Sequence, residues 1–174
     1  HQWVSPSQRT VDRWQPGQWA LNFPEPEVRL RAKRMAELAQ LDHNAAMSLS
    51  RALEGAAMDT AGKEFLTALM TGYHLCGQLA DLQSAYFGIY ADAQADSGNA
   101  SDCIRRLNQL QESLTQLERA VKNSLIGHDR PLDYLGGANG NWLAILQVIR
   151  REIEIFTAAL QSGERGDPES VRWW

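Results

Sequence analysis

The sequence has little of what marks a nucleic-acid-binding or membrane-spanning protein. It carries 17 lysines and arginines against 21 acidic residues, with a net charge of −4. A duplex-binding protein needs clustered basic residues to displace phosphate counterions, so nucleic-acid binding is not expected. No stretch approaches the ~20 apolar residues that a membrane-spanning helix requires. Because the chain starts at His1 and shows no secretory signal, we expect a processed chain or an excerpt of a larger protein, with the cytoplasm slightly favoured.

Catalytic sequence motifs are missing as well. The sequence contains no Gly-x-Ser-x-Gly elbow, no Cys-x-x-Cys, no His-Glu-x-x-His and no Gly-rich phosphate-binding motif. Glu152 and Glu154 lie two residues apart on a predicted helix, so they diverge and cannot act as a paired acid and base. These absences favour a non-enzymatic role and predict no cofactor.

What the sequence does contain is apolar residues spaced three and four apart, the pattern of one helix face. Four such segments predict helices over residues 26–57, 60–94, 100–126 and 141–162. Two of the three connections are only a few residues long. The prediction is therefore an all-α, up-down-up-down antiparallel four-helix bundle over residues 26–163.

Individual helices carry further predictions. Asp42 interrupts the first apolar stripe, which predicts a kink or a restart of the helix; the alternative is that Asp42 orients a histidine or holds a cation. The second helix has the widest apolar arc and is expected to be the most buried. Its Gly72, Gly77 and Gly88 lower helix propensity, so close backbone approach is the expected compensation. The third helix has the cleanest stripe, formed by Cys103, Leu107, Leu110, Leu114, Leu117 and Val121.

Hairpin register places the cysteines and histidines. Cys76 and Cys103 should lie ~20 Å apart along the bundle, too far for a disulfide, so both are expected to be buried free thiols. His43 and His74 should lie at one height, with His128 toward the same end. Three imidazoles would suit a metal ion, but His74 shares a polar helix face. No metal site is predicted, and these three histidines form the alternative.

Tryptophan is concentrated at the two ends of the chain. Residues 1–25 form an irregular Trp/Pro-rich segment, and residues 164–174 form a C-terminal tail. Aromatic side chains of this kind are typical of protein interfaces. These ends either dock a partner or wrap the bundle itself. The binding residues predicted here are Trp3, Trp14, Trp19, Trp173 and Trp174.

The longest irregular stretch within the predicted bundle covers residues 127–141. Polar groups lie there beside the start of the fourth helix, where free backbone donors can hold an anion. A plain structural connection is the competing interpretation. The candidate binding residues are His128, Asp129, Arg130, Asp133 and Tyr134.

Two functions of different classes follow from these patterns. The leading hypothesis is a non-enzymatic interaction or accessory module that docks a protein partner, or an adjacent domain of the same chain, through its Trp-rich termini. A homo-oligomer is a further option. The alternative is a ligand- or metal-binding bundle, enzymatic or not, with a pocket between the second helix and the 127–141 loop. Gly72 and Gly77 beside Tyr73, His74 and Tyr86 motivate that pocket.

Overall fold

The computed structural model shows four α-helices and describes residues 25–55, 57–95, 99–124 and 142–162. The helices are α1 (Glu25–Gly55), α2 (Thr60–Gln94), α3 (Ala100–Asn123) and α4 (Trp142–Gln161). These described residues contain no strand. The prediction of an all-α four-helix bundle is confirmed. The Trp/Pro-rich segment, the 127–141 loop and the C-terminal tail lie outside the described residues.

Side-chain caps fix the starts of the two central helices. The carboxylate of Asp59 accepts a hydrogen bond of 2.8 Å from the backbone N–H of Gly62, at the start of α2. The side chain of Asn99 accepts from the backbone N–H groups of Ser101 and Asp102, at the start of α3. The first turn of a helix leaves backbone donors without internal partners, and these side chains satisfy them.

The predicted restart of the helix at Asp42 is wrong, because α1 continues through this residue without interruption, while the kink that was its alternative stays a prediction. Asp42 is half-buried, and burial raises the pKa of its carboxyl above the usual value. An aspartate inside a helix costs less than about 1 kcal/mol relative to alanine. Breaking the helix would lose several backbone hydrogen bonds of about 1 kcal/mol each. Packing of α1 along α2 therefore overrides the local preference of this residue.

The core lies between α2, α3 and α4, with α1 covering one side of α2. All six residues of the predicted α3 stripe are buried. Among the described residues, α2 has the most buried positions, as its wide apolar arc predicted. The residues that α4 contributes to the core are Trp142, Leu146, Ile149, Ile153 and Phe156.

Polar contacts between α1 and α2 show that the two helices are antiparallel. Near one end, the hydroxyl of Ser84 donates to the carbonyl of Ala32 over 2.9 Å. Farther along, the ring of His43 lies against Gly77. The residue number rises by 11 in α1 while it falls by 7 in α2 between these contacts, so the chain directions are opposed.

An ion-pair network joins three helices at the end of the bundle where α1 begins. Asp92 in α2 accepts from Arg29 of α1 at 3.0 Å and from Arg106 of α3 at 2.6 Å. The bond from Arg106 is the main reason why the pKa of Asp92 lies below its usual value. A separate pair, Arg150 with Glu118 at 2.8 Å, joins α4 to α3. These pairs fix the helices at defined heights, although partly exposed ion pairs contribute only about 1 kcal/mol or less.

Contacts of α3 and α4 with α2 show at which height along α2 the third helix ends and the fourth begins. α3 runs antiparallel to α2, since only five residues separate the two helices, and Arg106 of α3 lies opposite Asp92 of α2. α4 runs parallel to α2, since Glu152 contacts Tyr86 and, one turn later in both helices, Phe156 contacts Tyr90. Counting along the helices from these contacts, α3 ends about level with residue 75 of α2, and α4 begins about level with residue 76. α1 and α2 therefore continue as a two-helix hairpin for about 15 residues, or about 22 Å, beyond the described parts of α3 and α4.

We call residues 47–55 and 60–71 the hairpin end. Burial changes sharply at its border, because the last buried residue of α1 is Ala46 and the first of α2 is Gly72. Within the described residues of the hairpin end, no side chain is buried. None of the helices in the described part of the chain is both long and apolar enough to cross a membrane.

Candidate functional site

The most unusual polar group in the core is Glu152 of α4. Its side chain is only 4% exposed, and the hydroxyl of Tyr86, a residue of α2 that is 6% exposed, donates to its carboxylate over 3.2 Å. A buried charge is costly unless it is hydrogen-bonded, so this bond links the two helices at a defined register. Both groups are shielded from solvent, which suits a role in stabilising the fold better than a role in binding a ligand.

Aromatic side chains surround this buried pair. The ring of Phe156 lies 6.0 Å from that of Tyr86 and 5.3 Å from that of Tyr90, in tilted or edge-to-face arrangements. Burial is the main cause that raises the pKa of Tyr86 well above its usual value, and the charge of Glu152 adds to it. Burial likewise raises the pKa of Tyr90 to about 12. Both phenols therefore keep their protons over the whole neutral range.

Sequence reasoning missed the role of Glu152, although the divergence of the two glutamates was predicted correctly, since Glu154 is exposed. The missed signal is a second stripe on α4. Ile145, Ile149, Glu152 and Phe156 are also spaced four, three and four residues apart, which places the carboxylate on an apolar face.

A second polar cluster lies between α1 and α2, where the predicted histidine register holds. The rings of His43 and His74 are 5.8 Å apart between centroids. The Nε2 of His43 donates to the carboxylate of Asp81 over 2.8 Å, and the amide of Gln78 donates to Nε2 of His74 over 3.1 Å. His74 is exposed, as its polar helix face predicted.

This cluster does not assemble a metal site from the described residues. Within residues 25–55, 57–95, 99–124 and 142–162, no group of three or more histidine, cysteine or acidic side chains is placed to hold a metal ion. His128, the third member of the alternative metal set, lies outside the described residues. The contacts of His43 instead join α1 to α2.

Gly77 is the residue that gives His43 its position. A Cβ atom added at Gly77 would lie 2.7 Å from Cε1 and 2.8 Å from Nδ1 of the His43 ring, closer than real Cβ contacts allow. The predicted close approach to this glycine therefore comes from a side chain, not from backbone. At Gly88 that prediction is wrong, because an added Cβ would meet only the end of Arg106 at 4.0 Å.

The two glycines give a matched pair of substitutions. We expect Gly88→Ala to stabilise the protein by about 0.5–1 kcal/mol, since alanine favours the helix. Gly77→Ala must displace the His43 ring and break its bond to Asp81, so we expect a net loss of about 1 kcal/mol in the free energy of unfolding. Urea denaturation of both variants measures the difference.

The His43→Ala background provides the control for that pair. Without the imidazole, Gly77→Ala should become stabilising by a similar amount to Gly88→Ala. If Gly77→Ala destabilises equally with and without the ring, then the contact between Gly77 and His43 does not control this position.

The two cysteines are free, as the register predicted. Cys103 is buried, but Cys76 is only half-buried, so the expectation that both would be buried is wrong for Cys76. Burial raises the pKa of the Cys76 thiol to about 11, and burial also raises that of Cys103. Both side chains therefore stay protonated at neutral pH, when a thiol is a poor nucleophile.

Of the other predicted site residues, the structure describes only some. Tyr73 is half-buried beside the hairpin end, and Tyr86 is in the core. The ring of His43 occupies the space beside Gly77, one of the two glycines that motivated the predicted pocket, and the 127–141 loop that would form the other wall lies outside the described residues. The remaining predicted binding residues lie outside the described residues: Trp3, Trp14, Trp19, Trp173, Trp174, His128, Asp129, Arg130, Asp133 and Tyr134.

The hairpin end is the candidate interaction surface. Phe65 is 58% exposed and Met47 is 49% exposed, although both are large apolar side chains. Further large apolar residues of the hairpin end are only half-buried, namely Leu49, Leu53, Leu66, Leu69 and Met70. Sequence periodicity placed these residues on helices, but it could not show that α3 and α4 stop before they are covered.

Fold and side-chain arrangement together define an all-α protein. Its core contains a closed polar pair, Tyr86 with Glu152, and its hairpin end extends beyond that core. Comparison with known proteins adds no narrower class: no family model, no curated protein and no solved structure matches the chain.

Proposed function

We propose that this chain is a non-enzymatic helical interaction or accessory module that binds a protein partner or an adjacent domain. The observation that carries the proposal is that no side chain in the described residues of the hairpin end is buried, while Phe65 is 58% exposed and Met47 is 49% exposed. Single exposed apolar residues are common on soluble proteins, whereas a helical hairpin with none of its apolar side chains buried offers enough apolar surface for an interaction site.

Burial of the exposed apolar side chains of the hairpin end by a partner would release enough free energy to support binding. Complete burial of a side chain such as Phe65 or Met47 contributes about 1.5–3 kcal/mol, and roughly half of that remains available because each is about half exposed. The half-buried leucines nearby would add to it. A partner that covers this surface gains a few kcal/mol before the cost of association, which fits a weak or regulated contact.

Docking through the Trp-rich termini is the second part of this proposal. Those termini lie outside the described residues. The ligand- or metal-binding alternative has weaker support, since His43 occupies the space that Gly77 leaves open. Neither cysteine offers an activated nucleophile, because burial raises the pKa of both thiols.

Site-specific photo-crosslinking in the native host tests the proposal on the full chain. A photoreactive residue is placed at Phe65, at Trp14 for the Trp-rich segment, or at Gln116 on the exposed face of α3 as the control. We expect protein adducts from Phe65 and from Trp14, and few from Gln116. Equal adducts from all three positions, or none from the first two, would contradict an interaction module.

A further inference from the structure

The start of α1 and the end of α4 lie at the same end of the bundle, level with the end of α2. α1 begins four residues before Arg29, whose guanidinium contacts Asp92 of α2. α4 ends five residues after Phe156, whose ring lies 5.3 Å from that of Tyr90 of α2. Both contacts are close to Gln94, the last residue of α2, and both helix ends lie about 6–8 Å beyond them.

The same two helix ends are also close together across the bundle. α1 and α4 each contact α2, and the axes of packed helices are 8–10 Å apart, so the two ends are separated by at most about 20 Å in this direction. Residues 1–24 precede α1, and residues 163–174 follow α4. The two Trp-rich termini therefore join the bundle at neighbouring points, although they are at opposite ends of the sequence.

The two termini carry the same kind of anchor. They contain five of the six tryptophans of the chain, and in each terminus one tryptophan directly follows an arginine, as Arg13-Trp14 and as Arg172-Trp173. Tryptophan and arginine are the residues that most often dominate binding energy in protein interfaces. The indole fills an apolar pocket, and the guanidinium beside it binds a carboxylate through two parallel hydrogen bonds.

From this placement, and resting on the second part of the proposed function, we infer that the two termini bind one protein partner together at this end of the bundle. The partner has two apolar pockets, each bordered by a carboxylate. One pocket takes Trp14 with Arg13, and the other takes Trp173 with Arg172.

Both anchors can reach a single partner. An extended chain spans at most about 3.6 Å per residue, so Trp14 is within about 40 Å of the start of α1, and Trp173 is within about 43 Å of the end of α4. A small domain is about 30 Å across. Once one terminus is bound, the other is held near its own pocket, and such linkage strengthens overall binding by a factor of roughly 10² to 10⁴.

Charge favours a protein partner over a lipid surface. Tryptophan is also common at membrane interfaces, but attraction to anionic lipids needs an excess of basic residues. Residues 1–24 and 163–174 together carry four arginines, no lysine and four acidic residues. They therefore have no such excess.

Photo-crosslinking in the native host tests the inference on the full chain, with a photoreactive residue beside either anchor, at Gln15 or at Ser170. We expect both positions to crosslink to the same protein. Changing Trp173→Ala and Trp174→Ala together should lower the yield of the Gln15 adduct at least about tenfold, because binding of one terminus then loses the help of the other. Leu41→Ala is the control and should leave that yield unchanged, since it truncates an exposed apolar side chain about 24 Å from the start of α1.

Circular dichroism verifies that the variants keep the helical fold. Different proteins captured at the two positions, crosslinks only within the chain, or a Gln15 adduct that persists in the double variant would each overturn the inference. So would co-sedimentation with vesicles of phosphatidylcholine and phosphatidylserine that Trp14→Ala abolishes, since the target would then be a lipid surface.

The proposed function fails separately from this inference. If Phe65 crosslinks to a protein while the two termini capture different proteins, the interaction module is supported and the shared partner is not. If Phe65 and both termini give no protein adduct, both proposals are wrong.

Discussion

Leu114→Ala is expected to lower the free energy of unfolding by about 2–5 kcal/mol. Leu114 lies in the middle of α3 with 0% exposure, inside the cluster that joins α2, α3 and α4. Truncation removes the transfer free energy of its buried methyl groups, and the surrounding helices relax only partly into the cavity. A loss of about 3 kcal/mol corresponds to roughly 6–12 °C in Tm for a chain of this size.

Leu41→Ala on α1 is the matched control, because it makes the same substitution within a helix at a side chain that is 66% exposed. Its effect should stay within about 0.5 kcal/mol. Urea denaturation and thermal scans measure both variants. Similar losses in the two would mean that α3 does not pack against the bundle as described.

The α3 stripe also shows how much of the fold could be predicted from sequence. Cys103, Leu107 and Leu114 follow the helical period with polar residues between them, and local periodicity alone identifies the buried face. For the same reason, the bounds predicted for the second helix, 60–94, coincide with those of α2. Whether a segment is helical, and which of its faces is buried, depends on residues that are close together in the chain. The sequence shows those residues directly.

The features that escaped prediction depend on contacts between distant residues. The bond between Tyr86 and Glu152 joins positions 66 residues apart, and periodicity treats a glutamate as a solvent-facing residue by default. The His43 ring over Gly77 likewise needs the relative rotation of two helices. The exposure of Phe65 follows from where α3 ends relative to α2. None of these can be obtained from one helix considered alone.

The buried tyrosines predict a steep loss of stability in alkali. An unfolded tyrosine has a pKa near 10, whereas burial raises the pKa of Tyr90 to about 12 and that of Tyr86 well above its usual value. A raised pKa in the folded state means that stability is fully present below about pH 10. It is then lost as pH rises, because the unfolded chain ionises its phenols first.

Tyr90 should contribute a slope of about 1.4 kcal/mol per pH unit between about pH 10 and 12, and the raised pKa of Tyr86 should steepen the loss above about pH 10. Urea denaturation at intervals across this range gives the free energy of unfolding against pH. The onset of tyrosinate ultraviolet absorbance, measured in parallel, should coincide with unfolding for the two buried side chains.

Tyr90→Phe separates this effect from the titration of lysines and thiols, which is common to both proteins. The variant loses the hydrogen bond with Gln94, and this shifts its stability at every pH by a constant amount. Its slope between about pH 10 and 12 should be shallower than that of the wild type by about 1.4 kcal/mol per unit, since phenylalanine has no proton to release. Parallel curves for the two proteins would show that Tyr90 ionises as easily in the folded chain as in the unfolded one. The aromatic layer around Glu152 would then be open to water, and a closed polar pair could no longer explain how α4 is held against α2.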